Sequence, residues 1–335
     1  MRSLLTGDIG GTKTRLALVD VNNNDVVIRR ELIYASQRYE IFETLLSEFL
    51  SPDDSVDDAA FGIAGQVQNG VAQATNLPWR IDAPALCQRF GFLRCHLLND
   101  LEATAYGLPA LVDADLLTLQ TGSPDALGNA AVIAAGTGLG EAGLYWDGQS
   151  YRPFATEGGH ATFSPRNTLE FALLRHLQQR HSEHMRGHIS WERVVSGMGL
   201  LDLYVFLLNY RHVSTPAWLA EEMRSKDTAA AISAAALANN DAVCVETMQL
   251  FVSLYGAEAG NLALKVMSRG GLYIGGGIAP KILPLLQTGD FLNAFLDKGR
   301  MRPLLTAMPV KVILNDRAAL YGPALFAAHY AEKIV

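Results

Sequence analysis

Two widely separated glycine hairpins constrain this chain more than any other feature of its sequence. The first reads Gly7-Asp8-Ile9-Gly10-Gly11-Thr12-Lys13-Thr14-Arg15 and leads into the apolar run Leu16 to Val19. The second, within residues 130–145, passes from an apolar stretch through Gly136-Thr137-Gly138-Leu139-Gly140 into a returning strand. A strand, a glycine turn and a returning strand leave a hairpin tip clear of side chains, where backbone N–H groups can approach a ligand closely. One such turn has a plain structural reading. Two of them imply two related half-molecules, each offering a loop to a single polyphosphate. Asp8 stands where the first strand meets its turn. From there a carboxylate can hold Mg²⁺, directly or through water, beside phosphate oxygens. No Gly-Lys-Ser/Thr opens a helix here, so this is not the strand–loop–helix phosphate loop.

Hydrophobic periodicity organises the rest. Residues 3–9, 14–20 and 26–34 read as strands. Ile41, Phe42, Leu45, Leu46 and Phe49 follow at helical spacing. Strands are expected over 59–67 and 94–98, separated by a helix that begins at Asp82 with Pro84 and closes at Gly91. A second α/β unit opens with the strand at Ala131. Helices are expected over 168–180 and 227–238. A long helix capped by Asn240 carries Cys244, Met248, Phe251, Tyr255, Ala259, Leu262 and Val266 on one face. A strand at 272–274 then enters the turn Gly275-Gly276-Gly277-Ile278-Ala279-Pro280, and a last helix from about Arg317 to Lys333 is expected to pack back on the first unit. Strands alternating with helices indicate an α/β fold whose ligands gather beyond the carboxyl ends of strands. The expected division is 1–110 plus about 301–335 for a small domain and 111–300 for a large one.

The chain has 335 residues, enough for two cores. Lys and Arg number 27 against 34 Asp and Glu, a net charge of −7, and no basic run occurs. That balance argues against nucleic acid and against an anionic membrane surface. A phosphate site here must rely on backbone N–H groups and Mg²⁺ more than on a basic patch. Three dispersed cysteines without a Cys-x-x-Cys pair fit a reducing cytosol, with neither a disulfide framework nor structural zinc. No signal-like segment precedes the first strand, and no apolar run reaches membrane-spanning length, so a cytoplasmic protein is expected.

Four polar clusters are candidates for chemistry. Asn99-Asp100 follows a strand and reads either as a helix cap or as a carboxylate aimed into a cleft, able to take a hydroxyl proton during phosphoryl transfer. In Glu157-Gly158-Gly159-His160, the two glycines let a carboxylate and an imidazole converge on a small polar ligand; a loop after a hairpin is the other reading. Ser190-Trp191-Glu192-Arg193 looks like a helix cap and offers Glu192 as a further carboxylate. The histidines 176, 181, 184 and 188 lack carboxylate or cysteine partners in sequence, so a solvated surface is expected there in preference to a metal site. The triple glycine at 275–277 permits close approach to a base or ribose.

Together these segments resemble the bacterial glucokinase family. The resemblance is carried by Gly7-Asp8-Ile9-Gly10-Gly11-Thr12, Leu98-Asn99-Asp100, Ala135-Gly136-Thr137-Gly138-Leu139-Gly140, Glu157-Gly158-Gly159-His160, Ser196-Gly197-x-Gly199-Leu200, Gly275-Gly276-Gly277-Ile278 and Asp297-Lys298-Gly299-Arg300. It implies an actin-like ATPase fold, also called ribonuclease H-like, with two α/β domains flanking a cleft. It also implies transfer of the γ-phosphoryl group of ATP to glucose. ATP would meet Asp8, Gly10, Gly11 and Thr12, then Gly136, Thr137 and Gly138, with Gly276 and Gly277 at the adenosine. Asn99, Asp100, Glu157, His160 and Glu192 would hold sugar hydroxyls, Asp100 being the base. A homodimer is usual in the family. Lys13-Thr14 and Thr162-Phe163-Ser164-Pro165 depart from its common pattern, which leaves fine substrate and nucleotide preference open; the alternative readings are a kinase of another hexose (mannose, fructose, glucosamine or an N-acetylhexosamine) and a catalytically silent sugar sensor on the same fold. The related repressor–open-reading-frame–kinase group carries a cysteine-rich zinc motif after the His; no cysteine lies between Cys95 and Cys244.

Overall fold

The protein is described by a computed structural model covering residues 2–181 and 187–329. Strand β1 (Arg2–Ile9) turns at Gly10 and Gly11 into β2 (Lys13–Asn22), and β3 (Asp25–Ala35) continues the antiparallel meander. Helix α1 (Phe42–Phe49) buries Phe42, Leu45, Leu46 and Phe49, the three-and-four stripe read from the sequence, against this sheet. Strand β4 (Asp58–Ile63) then runs parallel to β1. A small sheet of β5 (Val67–Gln68), β6 (Val71–Gln73) and β7 (Arg80–Asp82) follows. Helix α2 (Ala83–Phe90) starts at the Asp82 cap and stops at Gly91, whose φ of 76° favours glycine. Strand β8 (Arg94–Asn99) completes the sheet order β3-β2-β1-β4-β8.

After α3 (Asp100–Gly107) and β9 (Leu116–Gln120), the same wiring repeats. Strands β10 (Ala130–Ala135), β11 (Leu139–Trp146) and β12 (Tyr151–Thr156) form the meander. Helices α4 (Thr168–Arg180), α5 (Gly197–Arg211), α6 (Ala217–Ser225), α7 (Thr228–Leu237) and α8 (Ala242–Val266) follow. Strand β13 (Gly271–Gly275) pairs parallel with β10. Helices α9 (Leu283–Leu286), α10 (Asp290–Leu296) and α11 (Arg302–Thr306) lead to β14 (Val310–Ile313), parallel to β13. The sheet order is β12-β11-β10-β13-β14-β9. A meander extended by two parallel strands therefore occurs twice: these are the two related halves expected from the hairpins, in the ribonuclease H-like architecture that the family resemblance implies.

Two details differ from the sequence reading. The cap of α8 is Asp241, whose carboxylate accepts the Cys244 N–H at 2.8 Å, because a cap side chain reaches the N–H three residues ahead and Asn240 stands one residue too early. The chain also returns to the first sheet past Ile313 and not near 301. Val310 and Val312 are buried in the large core of the second sheet, so β14 belongs there.

The final helix, α12 (Ala318–His329), packs Leu320, Ala324 and Leu325 against Leu4 and Ala60 of the first sheet. Residues 330–333 of the expected helix lie outside the described residues. Helix α3 joins the two halves. Leu101 and Ala105 pack on Val132, Ala142 and Leu144 of the second sheet, while Ala103 and Tyr106 meet Phe326 of α12. Gly107 and Gly322 let α3 and α12 cross in backbone contact, since a Cβ on either would overlap the main chain of the other helix. Among the described residues no single helix is long and apolar enough to cross a membrane.

Candidate active site

Parallel pairing aligns the strand ends of the first sheet. Ile9 pairs with Ile63 and Ile63 with Asn99, so the first hairpin and Asn99-Asp100 emerge from one sheet edge. The hairpin tip is braced from behind. Gly10 N–H donates to the Lys13 carbonyl at 3.0 Å, and Ser36 N–H to the Thr12 carbonyl at 3.0 Å. Ser36 Oγ donates to the Gly10 carbonyl at 2.8 Å and lies 2.9 Å from Thr14 Oγ1. Nothing in the local sequence marks Ser36 for this role, because the contact is made across the sheet.

The alternatives at Asn99-Asp100 divide between the two residues. Asn99 is the cap of α3, its Oδ1 accepting the N–H groups of Leu101 at 3.0 Å and Glu102 at 3.4 Å, and its amide reaching the Gly65 carbonyl at 3.3 Å. Asp100 is thereby left as the carboxylate at the first turn of the helix, bonded to the Leu101 N–H at 3.0 Å. Burial, and after it the charge of Asp8, push Asp100 up to about 6. Burial likewise pushes Asp8 to about 6, opposed by Arg15 and reinforced by Asp316. The half-buried Asp100 carboxyl thus feels the charge of Asp8 at the root of the hairpin. An aspartate with an ordinary value near 4 would be a feeble base, whereas one near 6 is closer to the pH at which it works. Arg15 is itself held by Asp316, at 2.7 Å, from the segment before α12.

Across the site, Gly136 N–H bonds to the Gly138 carbonyl at 2.8 Å, and the Gly197 N–H at the start of α5 donates to the Gly136 carbonyl at 2.8 Å. Ser196 caps α5 through the Gly199 N–H at 3.1 Å. The second hairpin therefore lies at a helix N-terminus, the end that favours anions. Leu101, beside Asp100, occupies the space over Gly140 that a Cβ would take. Gly276, at φ 83°, sits over the Ala135 carbonyl, and the space beside Gly277 is open. Thr137 is exposed at the hairpin tip.

Glu157, His160 and Glu192 converge. His160 lies 3.9 Å from Glu157 and 3.9 Å from Glu192. Residues Gly158–His160 form a short 3₁₀ turn whose Gly159 rests on the Leu139 main chain. Glu192 Oε2 accepts the Leu139 N–H at 3.0 Å and fills the space over Gly138. This carboxylate therefore ties the Glu157, His160 and Glu192 cluster to the second hairpin. Ser190 precedes a 3₁₀ turn without a side-chain cap, so the helix cap that the sequence resembles does not form. Glu157 and His160 side chains are 61% and 60% exposed, open to a ligand.

Among the described residues no group of three or more His, Cys, Asp and Glu could hold a metal. Buried Asp202 bonds His181 at 2.9 Å and Arg180 at 3.0 Å, so His181 is a structural partner rather than a solvated side chain. His184 lies outside the described residues.

The glucokinase family model matches residues 5–330. A glucokinase of Nostoc punctiforme is 44% identical over 343 residues, covering 98% of this chain and 99% of that one. The crystal structure of a glucokinase from an Antarctic psychrotroph matches with a TM-score of 0.85 at 31% identity, over 98% of this chain and 99% of that one. A ROK family glucokinase from Streptomyces griseus, solved with glucose and AMPPNP, matches with a TM-score of 0.63 at 22% identity over 97% and 99% of the two chains, and shares the fold. These likenesses agree with the doubled sheet wiring in establishing an actin-like ATPase fold.

Proposed function

The chain belongs to the glucokinase family, and on that premise we propose that Asp100 is the base in its transfer of the γ-phosphoryl group from ATP to the 6-hydroxyl of glucose. The O6 lone pair attacks the γ-phosphorus, the bond to the ADP oxygen breaks, and the O6 proton passes to the Asp100 carboxylate. The products are glucose 6-phosphate and ADP. The carrying observation is the half-buried Asp100 carboxyl, pushed to about 6, at the same sheet edge as the first glycine hairpin. The Gly10 and Gly136 N–H groups close the two hairpin turns, and the backbone N–H groups of Gly11 and Thr12 and of Thr137 and Gly138 face the phosphates, where they offset charge that grows in the transition state. Gly276 and Gly277 give the adenosine a surface without side chains.

Asn99, Glu157, His160 and Glu192 hold the sugar hydroxyls, together with Asp100. A site built from such acceptors rejects a sugar lacking the matching hydroxyl, because its polar groups are left unpaired. The paired Asp8 and Asp100 carboxyls suit a divalent cation, and Mg²⁺, which is commonly held by one or two carboxylates beside substrate phosphates, would fit there. Asp8 is the residue that meets it, and the ion offsets phosphate charge when bound. Two domains, built on the first sheet with α12 and on the second sheet, close on the substrates and exclude water. The protein works as a cytoplasmic homodimer, a state that light scattering checks.

The test is ADP release from Mg²⁺–ATP across a panel of hexoses. Turnover on glucose above other sugars supports the proposal. Turnover confined to mannose, fructose or an amino sugar changes the substrate, and nucleotide binding without turnover on any sugar indicates a sensor.

A further inference from the structure

Beneath the loop that carries Glu157 and His160 lies a pair of carboxyl groups that the phosphoryl transfer does not use. Glu141 of β11 is 2% exposed and Glu258 of α8 is 0% exposed. The charge of Glu258 bears on Glu141, and two carboxyls buried together are accommodated by sharing a proton. Glu258 also accepts from Asn261 at 2.7 Å and faces Lys265 at 3.4 Å. Glu141 Oε1 has no hydrogen-bond partner, and Oε2 occupies the space where Gly158 would carry a Cβ. The main chain of Glu141 touches the same loop: its carbonyl accepts from Thr156 Oγ1 at 3.0 Å, and that hydroxyl oxygen accepts the Gly158 N–H at 3.2 Å.

The groups facing the pair come from several elements. Helix α8 brings Tyr255, Asn261 and Lys265, and Lys298, after α10, bonds Asn261 Oδ1 at 2.7 Å. Strand β10 sets Ile133 opposite Glu141, and the loop sets Gly158 against it. Burial first, then the Glu258 charge, raise Glu141 far above the usual carboxylate range, with Lys265 opposing.

We propose that Glu141 is a positioning residue for glucose: as a neutral acid sharing a proton with Glu258, it packs under Gly158 and fixes the loop that presents Glu157 and His160 to the sugar. The inference rests on the sugar-binding role proposed above for those two residues. Losing the shared proton places a second charge in a dry site. Relief comes from moving Glu141 off Gly158 toward water, and the loop moves with it.

The test is the pH dependence of kcat and of KM for glucose, at saturating Mg²⁺–ATP, from about pH 6 to about pH 10. In the wild type kcat/KM should fall about tenfold per pH unit above the pKa of the pair, with the change carried by KM. Glu141→Gln should keep KM at neutral pH within about threefold and lose the alkaline limb. Glu258→Gln should move that limb to lower pH, because the charge opposing ionisation of Glu141 is gone. A limb that persists unchanged in both variants, or a Glu141→Gln protein that is merely less stable with the same pH dependence of KM, overturns the proposal. Glu157→Ala separates the two assignments. If it leaves KM for glucose within about twofold, the sugar-loop reading itself fails; if it raises KM while Glu141→Gln keeps the limb, only the positioning role fails.

Discussion

Replacing Asp100 by Asn probes the chemistry and the energetics of the site together. In the folded protein its carboxyl is pushed from the ordinary 3.8 to about 6, by burial and then by Asp8. A shift of about two units amounts to about 3 kcal/mol between the protonated and ionised forms. Part of the side chain remains open to solvent, and screening there brings the net figure to about 1–2 kcal/mol. A raised pKa means the folded protein binds this proton more tightly than the unfolded chain. The associated stability is fully present below about pH 4 and is lost as the pH rises through about 6. Asn has the same shape, does not ionise, and can still accept the Leu101 N–H that Asp100 accepts at 3.0 Å. Asp100→Asn should therefore be more stable than wild type by about 1–2 kcal/mol near pH 7.5, with the gain shrinking toward pH 4. Its kcat should fall by about 10²–10⁴-fold. Thermal unfolding of the ligand-free protein at two pH values and glucose-dependent ADP release measure the two effects. A variant no more stable near neutrality, or equally stabilised at both pH values, refutes the electrostatic argument. Activity within a few-fold of wild type removes Asp100 as the base.

Three further outcomes follow from the geometry. The wild-type kcat/KM should fall by about tenfold or more per pH unit below about 6, as Asp100 and Asp8 take up protons, and Asp100→Asn should leave a shallower acid limb, that of Asp8 alone. Gly138→Ala places a methyl group on Glu192 Oε2 and displaces that carboxylate from the Leu139 N–H; KM for glucose should rise by about tenfold or more, read in the same ADP-release assay. Gly322→Ala drives a methyl group into the Ala103 carbonyl where α3 and α12 cross; it should destabilise the fold by about 3 kcal/mol or more, seen as a lower urea midpoint.

The sequence by itself determined the local frames: two glycine hairpins, the stripe of α1, the long buried face of α8 and the strand-end positions of Asp8 and Asn99-Asp100. Each is a matter of glycine placement or of side-chain period, and both act over a few residues. It also showed that the halves were related, because the same turn occurs twice. Tertiary structure alone decided what those frames do to charge. Asp100 becomes a stronger base because burial and Asp8, from the adjoining end of the sheet's first strand, reach it together. Asn99 and not Asp100 caps α3, and Asp202 takes His181 out of solvent. Ser36 holds the first hairpin from behind, and Glu141 meets Glu258 under the sugar loop. No periodicity announces these pairings. A carboxyl group's pKa and a loop's support depend on which distant segments enclose them, and that is settled only when the two sheets and the crossing helices pack.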